Sequence, residues 1–235
     1  MLMLDLPEAK YFLSGGEIDE EIKLVVAGGR APAQDWLAGL PAWTTVCADR
    51  GVDYAMTAGR RVALLIGDGD SGKSALYAEV AKTGVVQQHP VDKDDTDLQL
   101  LLQELEKEPC HLVVTGVFGG RLDHLQSALR SLIAYKKRTG KQVLLVDGKE
   151  TLVLLFPGEL CIADVKTQKM PILSVMAFEQ NSVATADHLR WPLNKTKLDL
   201  DHPYTLSNRP LDEEMWTQCD EGKIGMYLCF EEGEL

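Results

Sequence analysis

Residues 62–71 have the sequence VALLIGDGDS, in which a short apolar run stops at a glycine and two closely spaced aspartates. A short run that is apolar nearly throughout is typical of a strand buried on both faces of a parallel sheet. The same arrangement recurs at residues 23–27 (KLVVA), 44–48 (TTVCA), 111–115 (HLVVT) and 142–146 (QVLLV). We therefore predict a parallel sheet that contains these strands.

Segments with helical spacing of apolar residues separate the predicted strands. Residues 97–107 and 125–133 carry leucines that fall on one helix face, and residues 36–40 and 76–82 suit shorter helices. Strands that alternate with helices predict an α/β domain with helices on both faces of its sheet. We place this domain at residues 1–147 and predict that its first twenty residues are irregular.

The pattern changes after residue 147. Residues 151–156, 173–178 and 224–230 are strand-like, and turn residues separate them without a long helical pattern between. We predict that residues 148–235 form a smaller all-β domain of sandwich or barrel type.

Composition excludes several classes of protein. The 235 residues include 24 basic and 36 acidic side chains, and the resulting net charge of −12 disfavours binding to nucleic acid or to an anionic membrane surface. No apolar run is long enough for a transmembrane helix, and the N-terminus lacks the basic leader of a secretory signal. The five scattered cysteines form no C-x-x-C pair. This argues against a disulfide framework or a zinc site, and we expect a cytoplasmic protein.

In a parallel sheet, ligands bind beyond the carboxyl ends of the strands. Asp68 and Asp70 stand there in a glycine-rich loop, and two such carboxylates suit one Mg²⁺ ion that is shared with substrate phosphates. A solvated turn is the alternative, because aspartate and glycine are common turn residues.

The same loop matches a second pattern. Residues 67–74 (GDGDSGKS) fit the P-loop pattern G-x-x-x-x-G-K-[ST], and residues 143–147 would supply its acidic strand. A P-loop holds phosphates with backbone N–H groups, so two aspartates inside the loop would repel the ligand unless a metal intervened. A P-loop NTPase or kinase stays open as an alternative.

Residues 89–97 (HPVDKDDTD) lead into the helix predicted at residues 97–107. Asp94, Thr96 or Asp97 would cap this helix, but four acids around Lys93 are more than capping requires. A lysine beside carboxylates at a helix start suits a site for phosphate and metal.

Residues 115–124 (TGVFGGRLDH) leave a strand through glycines and enter another helix. Arg121 suits a forked contact with phosphate, while Asp123 either caps the helix or binds metal. His124 is more typical of a structural hydrogen-bonding residue than of a proton carrier. In the second domain, Trp191 precedes a proline and suits either the core or a stacking surface, of which we expect the core.

Taken together, these segments resemble the thiamine pyrophosphokinase family. They follow the order of that family's motifs: Ala48-Asp49-Arg50-Gly51, Gly67–Ser71, His89–Asp97, Gly119–His124, Trp191–Leu193 and Ser207-Asn208. Several unrelated motifs in the right order favour this family over the P-loop alternative. The chain departs from the family pattern at Arg50, Gly69, Gln99 and His188, which affects the expected fit of the substrate more than the fold.

The resemblance implies transfer of a pyrophosphoryl group from ATP to the hydroxyl of thiamine, with Mg²⁺ as cofactor, in a homodimer. It implies that Asp68, Asp70 and Asp97 hold the metal, with Asp123 and Asp49 as further acids, and that Lys93 and Arg121 stabilise phosphate oxygens. The remaining expected ATP contacts are Asp94, Thr96, Gly119, Gly120 and His124, and the expected thiamine contacts are Trp191, Ser207 and Asn208. A non-catalytic nucleotide or thiamine sensor is a further alternative.

Overall fold

The computed structural model describes residues 1–16, 20–68, 74–90, 92–168 and 170–230. The chain has a mixed α/β fold and divides into two compact units, one of residues 20–143 and one of residues 1–19 together with 144–235. None of the helices in the described ranges is long and apolar enough to cross a bilayer.

The unit of residues 20–143 contains a parallel sheet. Its strand order is β7-β3-β4-β5-β6, and each neighbouring pair is parallel. These strands are β3 (Ile22–Val26), β4 (Thr44–Ala48), β5 (Val62–Gly67), β6 (Val85–Gln88) and β7 (His111–Thr115). The helices are α1 (Gln34–Gly39), α2 (Gly51–Thr57), α3 (Ser74–Val80), α4 (Asp97–Leu105) and α5 (Leu122–Thr139).

Apolar periodicity explains where these elements form. Strand β7 is buried along its whole length, as its continuous apolar pattern predicts. Helix α4 buries Leu98, Leu101, Leu102 and Leu105, and helix α5 ends at Gly140, which takes the left-handed conformation (φ 71°) common after a helix. The parallel strands predicted at residues 23–27, 44–48, 62–66 and 111–115 are thus confirmed, while α2 and β6 were not predicted.

A buried histidine stands at the start of β7. The His111 side chain is 2% exposed; its Nε2 contacts the Glu20 carboxylate, and its Nδ1 accepts a hydrogen bond from the Gln142 backbone N–H (2.8 Å). Since Nδ1 accepts, the proton of the neutral ring lies on Nε2. Burial lowers the pKa of His111, although the Glu20 carboxylate acts in the opposite direction.

The other unit is built from antiparallel strands. One sheet has the order β1-β2-β10-β14-β12-β13, and strands β11-β15-β9-β8 form a second antiparallel series. The bounds are β1 (Leu2–Asp5), β2 (Ala9–Leu13), β8 (Val143–Val146), β9 (Glu150–Leu155), β10 (Leu160–Val165), β11 (Ile172–Ala177), β12 (Ser182–Asp187), β13 (Leu193–Leu198), β14 (Glu214–Glu221) and β15 (Ile224–Cys229).

The N-terminus differs from the sequence prediction. Residues 1–20 were expected to be irregular and were assigned to the α/β domain, but β1 and β2 form a hairpin and β2 pairs with β10. Alternate side chains of both strands are buried, and the Tyr11 hydroxyl donates to Thr151 Oγ1 at 3.0 Å. Its pairing partner lies far along the chain, so local patterns did not place the hairpin.

The strand predicted at residues 142–146 is present as β8 (Val143–Val146). It forms a tight antiparallel hairpin with β9, in which Asp147 Oδ1 accepts the backbone N–H groups of Lys149 (3.1 Å) and Glu150 (3.0 Å). Gly148 takes a positive φ of 82° in this turn, a conformation that glycine adopts readily. Asp147 therefore stabilises this turn.

Candidate active site

A cavity of about 970 Å³ opens at the carboxyl ends of the parallel strands. Its lining comes from the turns that follow β3, β4, β5 and β7 and from the first turns of α4 and α5. This is the edge of the sheet where the sequence placed the polar chemistry, and the volume suits a nucleotide-sized ligand.

Most of the predicted site residues line this cavity. From the predicted metal, phosphate and ATP contacts, the cavity contains Asp49, Asp68, Lys93, Asp94, Thr96, Asp97, Gly119, Gly120, Arg121, Asp123 and His124. Asp70 lies outside the described residues, as does most of the P-loop-like segment (residues 69–73).

Two glycines hold the β3 and β7 turns together. The Gly29 N–H donates to the Gly116 carbonyl (2.5 Å), and the Arg30 N–H donates to the Phe118 carbonyl (2.9 Å). A Cβ on Gly29 would lie 2.5 Å from the Gly116 oxygen, and one on Gly116 would lie 2.1 Å from the Ala27 oxygen. These glycines therefore allow the close contact between the two loops.

Gly119 and Gly120 have more space around them than Gly29 and Gly116. Gly120 has a φ of 71°, lines the cavity, and a Cβ there would meet nothing within 4 Å. Gly119 also has a positive φ (67°), and a Cβ would lie 3.1 Å from Arg30 Cβ. Gly120 thus leaves open space beside the backbone, which is what close approach of a phosphate needs.

Helix α4 brings an ion pair into the cavity. Lys93 Nζ lies 2.7 Å from Asp97 Oδ1, and the two side chains are only 16% and 14% exposed. Thr96 caps the helix: its Oγ1 accepts the Gln99 N–H (3.3 Å), and Gln99 Oε1 accepts the Thr96 N–H (2.8 Å). This reciprocal capping box fixes the backbone that carries Asp97 and gives Thr96 a structural role at the site.

Arg121 and Asp123 form a second pair, at the start of α5. Arg121 Nε and a terminal nitrogen contact the two Asp123 oxygens at 3.1 and 2.5 Å, and the Asp123 Oδ1 also accepts the His124 backbone N–H (3.0 Å). The Arg121 guanidinium lowers the pKa of Asp123, and the carboxylate in turn raises the pKa of Arg121. Both side chains are mostly exposed, so the fork of Arg121 is able to turn from Asp123 to an incoming anion.

The described residues contain no cluster of three histidine, cysteine or acidic side chains arranged to hold a metal ion. Mg²⁺ does not require one, because it commonly uses one or two carboxylates and completes its shell with waters and substrate phosphates. Asp68 and Asp97 supply hard oxygen donors in one cavity. The donor set therefore fits Mg²⁺ that arrives with a polyphosphate.

The predicted thiamine residues lie together in the β-rich unit. The Asn208 side chain is bound to the backbone of Trp191, since its Oδ1 accepts the Trp191 N–H (3.1 Å) and its Nδ2 donates to the Trp191 carbonyl (2.6 Å). The Ser207 N–H donates to Ser174 Oγ (3.0 Å). Trp191 is 54% exposed, with the Arg190 guanidinium 4.9 Å from its ring, so the expectation of a core residue was wrong.

Two arginines that line the cavity were not among the predicted site residues. Arg30 and Arg50 both line it, in the turns that follow β3 and β4. Both arginines lie in the turn that follows a strand. This position could have identified them as site residues, because acids and glycines in such turns had been selected as site residues for the same reason.

Comparison with known proteins gives a consistent result. A family model described as "Thiamin pyrophosphokinase, catalytic domain" matches residues 41–145. Thiamine pyrophosphokinase from Bacillus subtilis (strain 168) is 28% identical over 190 residues, which cover 78% of this chain and 87% of the relative.

Solved structures agree on the fold. The crystal structure of thiamine pyrophosphokinase from Bacillus subtilis has a TM-score of 0.77 at 23% identity and covers 90% of this chain and all of its own. A thiamin pyrophosphokinase family protein from Enterococcus faecalis has a TM-score of 0.72 at 25% identity, with 90% of this chain and 100% of that chain covered. Thiamin pyrophosphokinase from Candida albicans has a TM-score of 0.71 at 12% identity, with coverages of 91% and 90%.

Proposed function

We propose that the chain is a member of the thiamine pyrophosphokinase family and that it transfers the pyrophosphoryl group of ATP to the hydroxyl of thiamine. One observation carries the proposal. The range matched by the catalytic-domain family model contains Asp49, Asp68, Lys93, Asp97 and Arg121, and these residues line one cavity at the carboxyl edge of a parallel sheet. The P-loop alternative has no comparable support.

The reaction is a displacement at the β-phosphorus of ATP. The hydroxyl oxygen of thiamine forms a bond to this phosphorus, the bond from it to the oxygen shared with the α-phosphorus breaks, and AMP departs with that oxygen. The hydroxyl loses its proton to a base, for which an aspartate of the cavity is our candidate. The products are thiamine diphosphate and AMP, and the protein must hold the triphosphate in line and neutralise its charge.

Lys93 and Arg121 are the proposed phosphate-binding cations. Each is already paired with an acid, 2.7 Å from Asp97 and 2.5 Å from Asp123 respectively. A bound polyphosphate replaces or shares these partners, so the acids position the two cations before ATP arrives. Gly119, Gly120, Asp49, Asp94, Thr96 and His124 complete the proposed ATP site, with Thr96 acting through the cap of α4.

We further propose that Asp68, Asp70 and Asp97 hold Mg²⁺, with Asp49 and Asp123 as further acids near it. When bound, Mg²⁺ neutralises phosphate charge and orients the oxygens of the triphosphate. In its absence, Asp97 retains Lys93 as its partner, which keeps a partly buried carboxylate from standing uncompensated.

The thiamine site and the assembly are also part of the proposal. We place thiamine against Trp191, Ser207 and Asn208, where the exposed indole offers a stacking face and the Asn208 amide fixes the loop that carries it. We also propose a homodimer, in which exposed apolar side chains of the same unit, such as Tyr204 (51%) and Leu211 (66%), would be covered. A cytoplasmic location, helices on both faces of the parallel sheet, and a sandwich or barrel in the β-rich unit likewise stay predictions.

An AMP-release assay tests this function. Purified protein is incubated with Mg²⁺ and ATP in three parallel reactions: with thiamine, without thiamine, and with thiamine monophosphate, whose hydroxyl is already esterified. We expect AMP only with thiamine. ADP in place of AMP would indicate γ-phosphoryl transfer and revive the P-loop alternative, and binding of both ligands without any product would indicate the sensor.

A further inference from the structure

Arg50 brings a positive charge to the cavity that no carboxylate of the described residues neutralises. Lys93 and Arg121 each contact an aspartate, whereas no ion pair joins Arg50 to an acid within the described ranges. Arg50 is exposed and lines the cavity directly after β4. Its charge is therefore available to an anionic group of a ligand.

The Arg50 guanidinium is held on one face by an aromatic ring. Its central carbon lies 5.7 Å from the centre of the Tyr54 ring, at the outer range of a cation–π contact. The Tyr54 hydroxyl donates to the Gly29 carbonyl at 3.0 Å. Tyr54 thus ties the β3 turn to α2 while its ring supports the arginine.

Gly28 supplies the space in which the Arg50 stem lies. A Cβ at position 28 would lie 2.6 Å from Arg50 Cγ and 3.0 Å from Asp49 Oδ2. The aliphatic part of the Arg50 side chain therefore occupies the space that a side chain at position 28 would need. A cation fixed in this way loses less conformational entropy on binding than one that is free in solvent.

We propose that Arg50 binds a phosphate group of the nucleotide, and that Tyr54 and Gly28 are positioning residues for it. The proposal rests on the proposed function, since that function supplies the triphosphate. Tyr54 covers one face of the planar guanidinium, and the N–H groups at its edge are left to form a forked contact with phosphate oxygens. A phosphate satisfies both the charge and these donors, which an uncharged base does not.

The test measures binding without turnover. Isothermal titration uses Mg²⁺ and α,β-methylene-ATP, in which the bond broken in the proposed reaction is replaced, on the wild-type chain and on Arg50→Ala, Arg50→Lys and Arg130→Ala. Arg130 is an exposed residue of α5 outside the cavity, so Arg130→Ala matches the change in net charge. We expect Arg50→Ala to raise the Kd at least about tenfold, as loss of a charge-assisted hydrogen bond does, with partial recovery in Arg50→Lys and no change in Arg130→Ala.

Competition by inorganic tripolyphosphate identifies the group that Arg50 contacts. We expect Arg50→Ala to weaken the binding of tripolyphosphate about as much as it weakens the binding of the nucleotide analogue. An unchanged affinity for the analogue overturns the proposal. A weaker affinity for the analogue together with an unchanged affinity for tripolyphosphate also overturns the proposal, because Arg50 would then contact the nucleoside.

The positioning role is tested by Gly28→Ala, alone and combined with Arg50→Ala. We expect Gly28→Ala to weaken binding of the analogue in the wild-type background and to do so less once Arg50 is gone, because the displaced side chain is then absent. Equal effects in both backgrounds overturn the role of Gly28. Failure of the AMP-release assay, by contrast, overturns the proposed function without changing these binding results.

Discussion

Replacing Asp97 by asparagine tests the metal-binding role proposed for this residue. Asparagine keeps the size of the side chain and one carbonyl oxygen but removes the charge. Asp97 begins α4, and its Oδ1 lies 2.7 Å from Lys93 Nζ in a pair that is 14% and 16% exposed. The substitution therefore removes both a proposed Mg²⁺ ligand and the partner of Lys93.

The structural cost is moderate. At 2.7 Å and an effective dielectric constant of about 20, the attraction is roughly 6 kcal/mol, but desolvation of the two partly buried ions offsets most of it. Loss of a negative charge at a helix start costs a further ~0.3–1 kcal/mol. We expect the free energy of unfolding to fall by about 1–3 kcal/mol, and Tm by roughly 3–10 °C.

The catalytic cost is larger. Loss of a metal ligand removes several kcal/mol of transition-state stabilisation, and about 4 kcal/mol corresponds to roughly a thousandfold in kcat/KM. The assay is AMP release with thiamine over a range of Mg²⁺ concentrations, together with thermal unfolding. Asp35→Asn is the matched control, because Asp35 is an exposed acid in the first turn of α1 and lies outside the cavity, and we expect less than a threefold change in rate. A loss below tenfold in Asp97→Asn, with an unchanged Mg²⁺ dependence, would refute the assignment.

Three further predictions concern structure around the site and the buried histidine. Thr96→Ala removes the capping box with Gln99, so we expect a loss of about 1 kcal/mol in the free energy of unfolding, measured by urea denaturation. His124→Ala should lower kcat/KM in the AMP-release assay far less than Asp97→Asn, because the Asp123 carboxylate accepts the His124 backbone N–H, which the substitution keeps; an equal loss would assign the imidazole a catalytic role. Burial lowers the pKa of His111, so below about pH 6.5 the unfolded chain binds more protons and stability falls by up to about 1.4 kcal/mol per pH unit. That stability is fully present above pH 6.5, and urea denaturation from pH 7.5 to 5.0 should show a shallower slope for His111→Gln.

Much of the α/β unit could be predicted because its signals are local. Strands β4 and β7 begin and end where their apolar runs do, and α4 buries the leucines that its spacing selects. Since parallel strands bring their carboxyl ends to one edge, the same runs also placed Asp49, Asp68 and Arg121 in a single cavity.

The N-terminal hairpin shows which feature of the fold local sequence patterns do not predict, namely the pairing of distant strands. Leu2 and Leu4 alternate with exposed residues, which is a strand pattern, but nothing near them in the sequence specifies that β2 pairs with β10. Strand pairing depends on which apolar faces find each other in three dimensions, and short strands leave that choice to contacts far along the chain. The domain boundary expected at residues 147 and 148 missed this contribution of the first strands.

Residue type and order thus predicted the chemistry that we propose for this protein: aspartates for a hard metal, cations for phosphate, and glycines where the chain turns at the end of a strand. Only the tertiary structure decided how each of these groups is used. It assigned Asp147 to a hairpin turn, Asn208 to the backbone of Trp191 and Gly28 to the space under Arg50. The physical reason is that the use of a polar group depends on which partner lies within hydrogen-bonding distance, and packing between distant segments sets that distance.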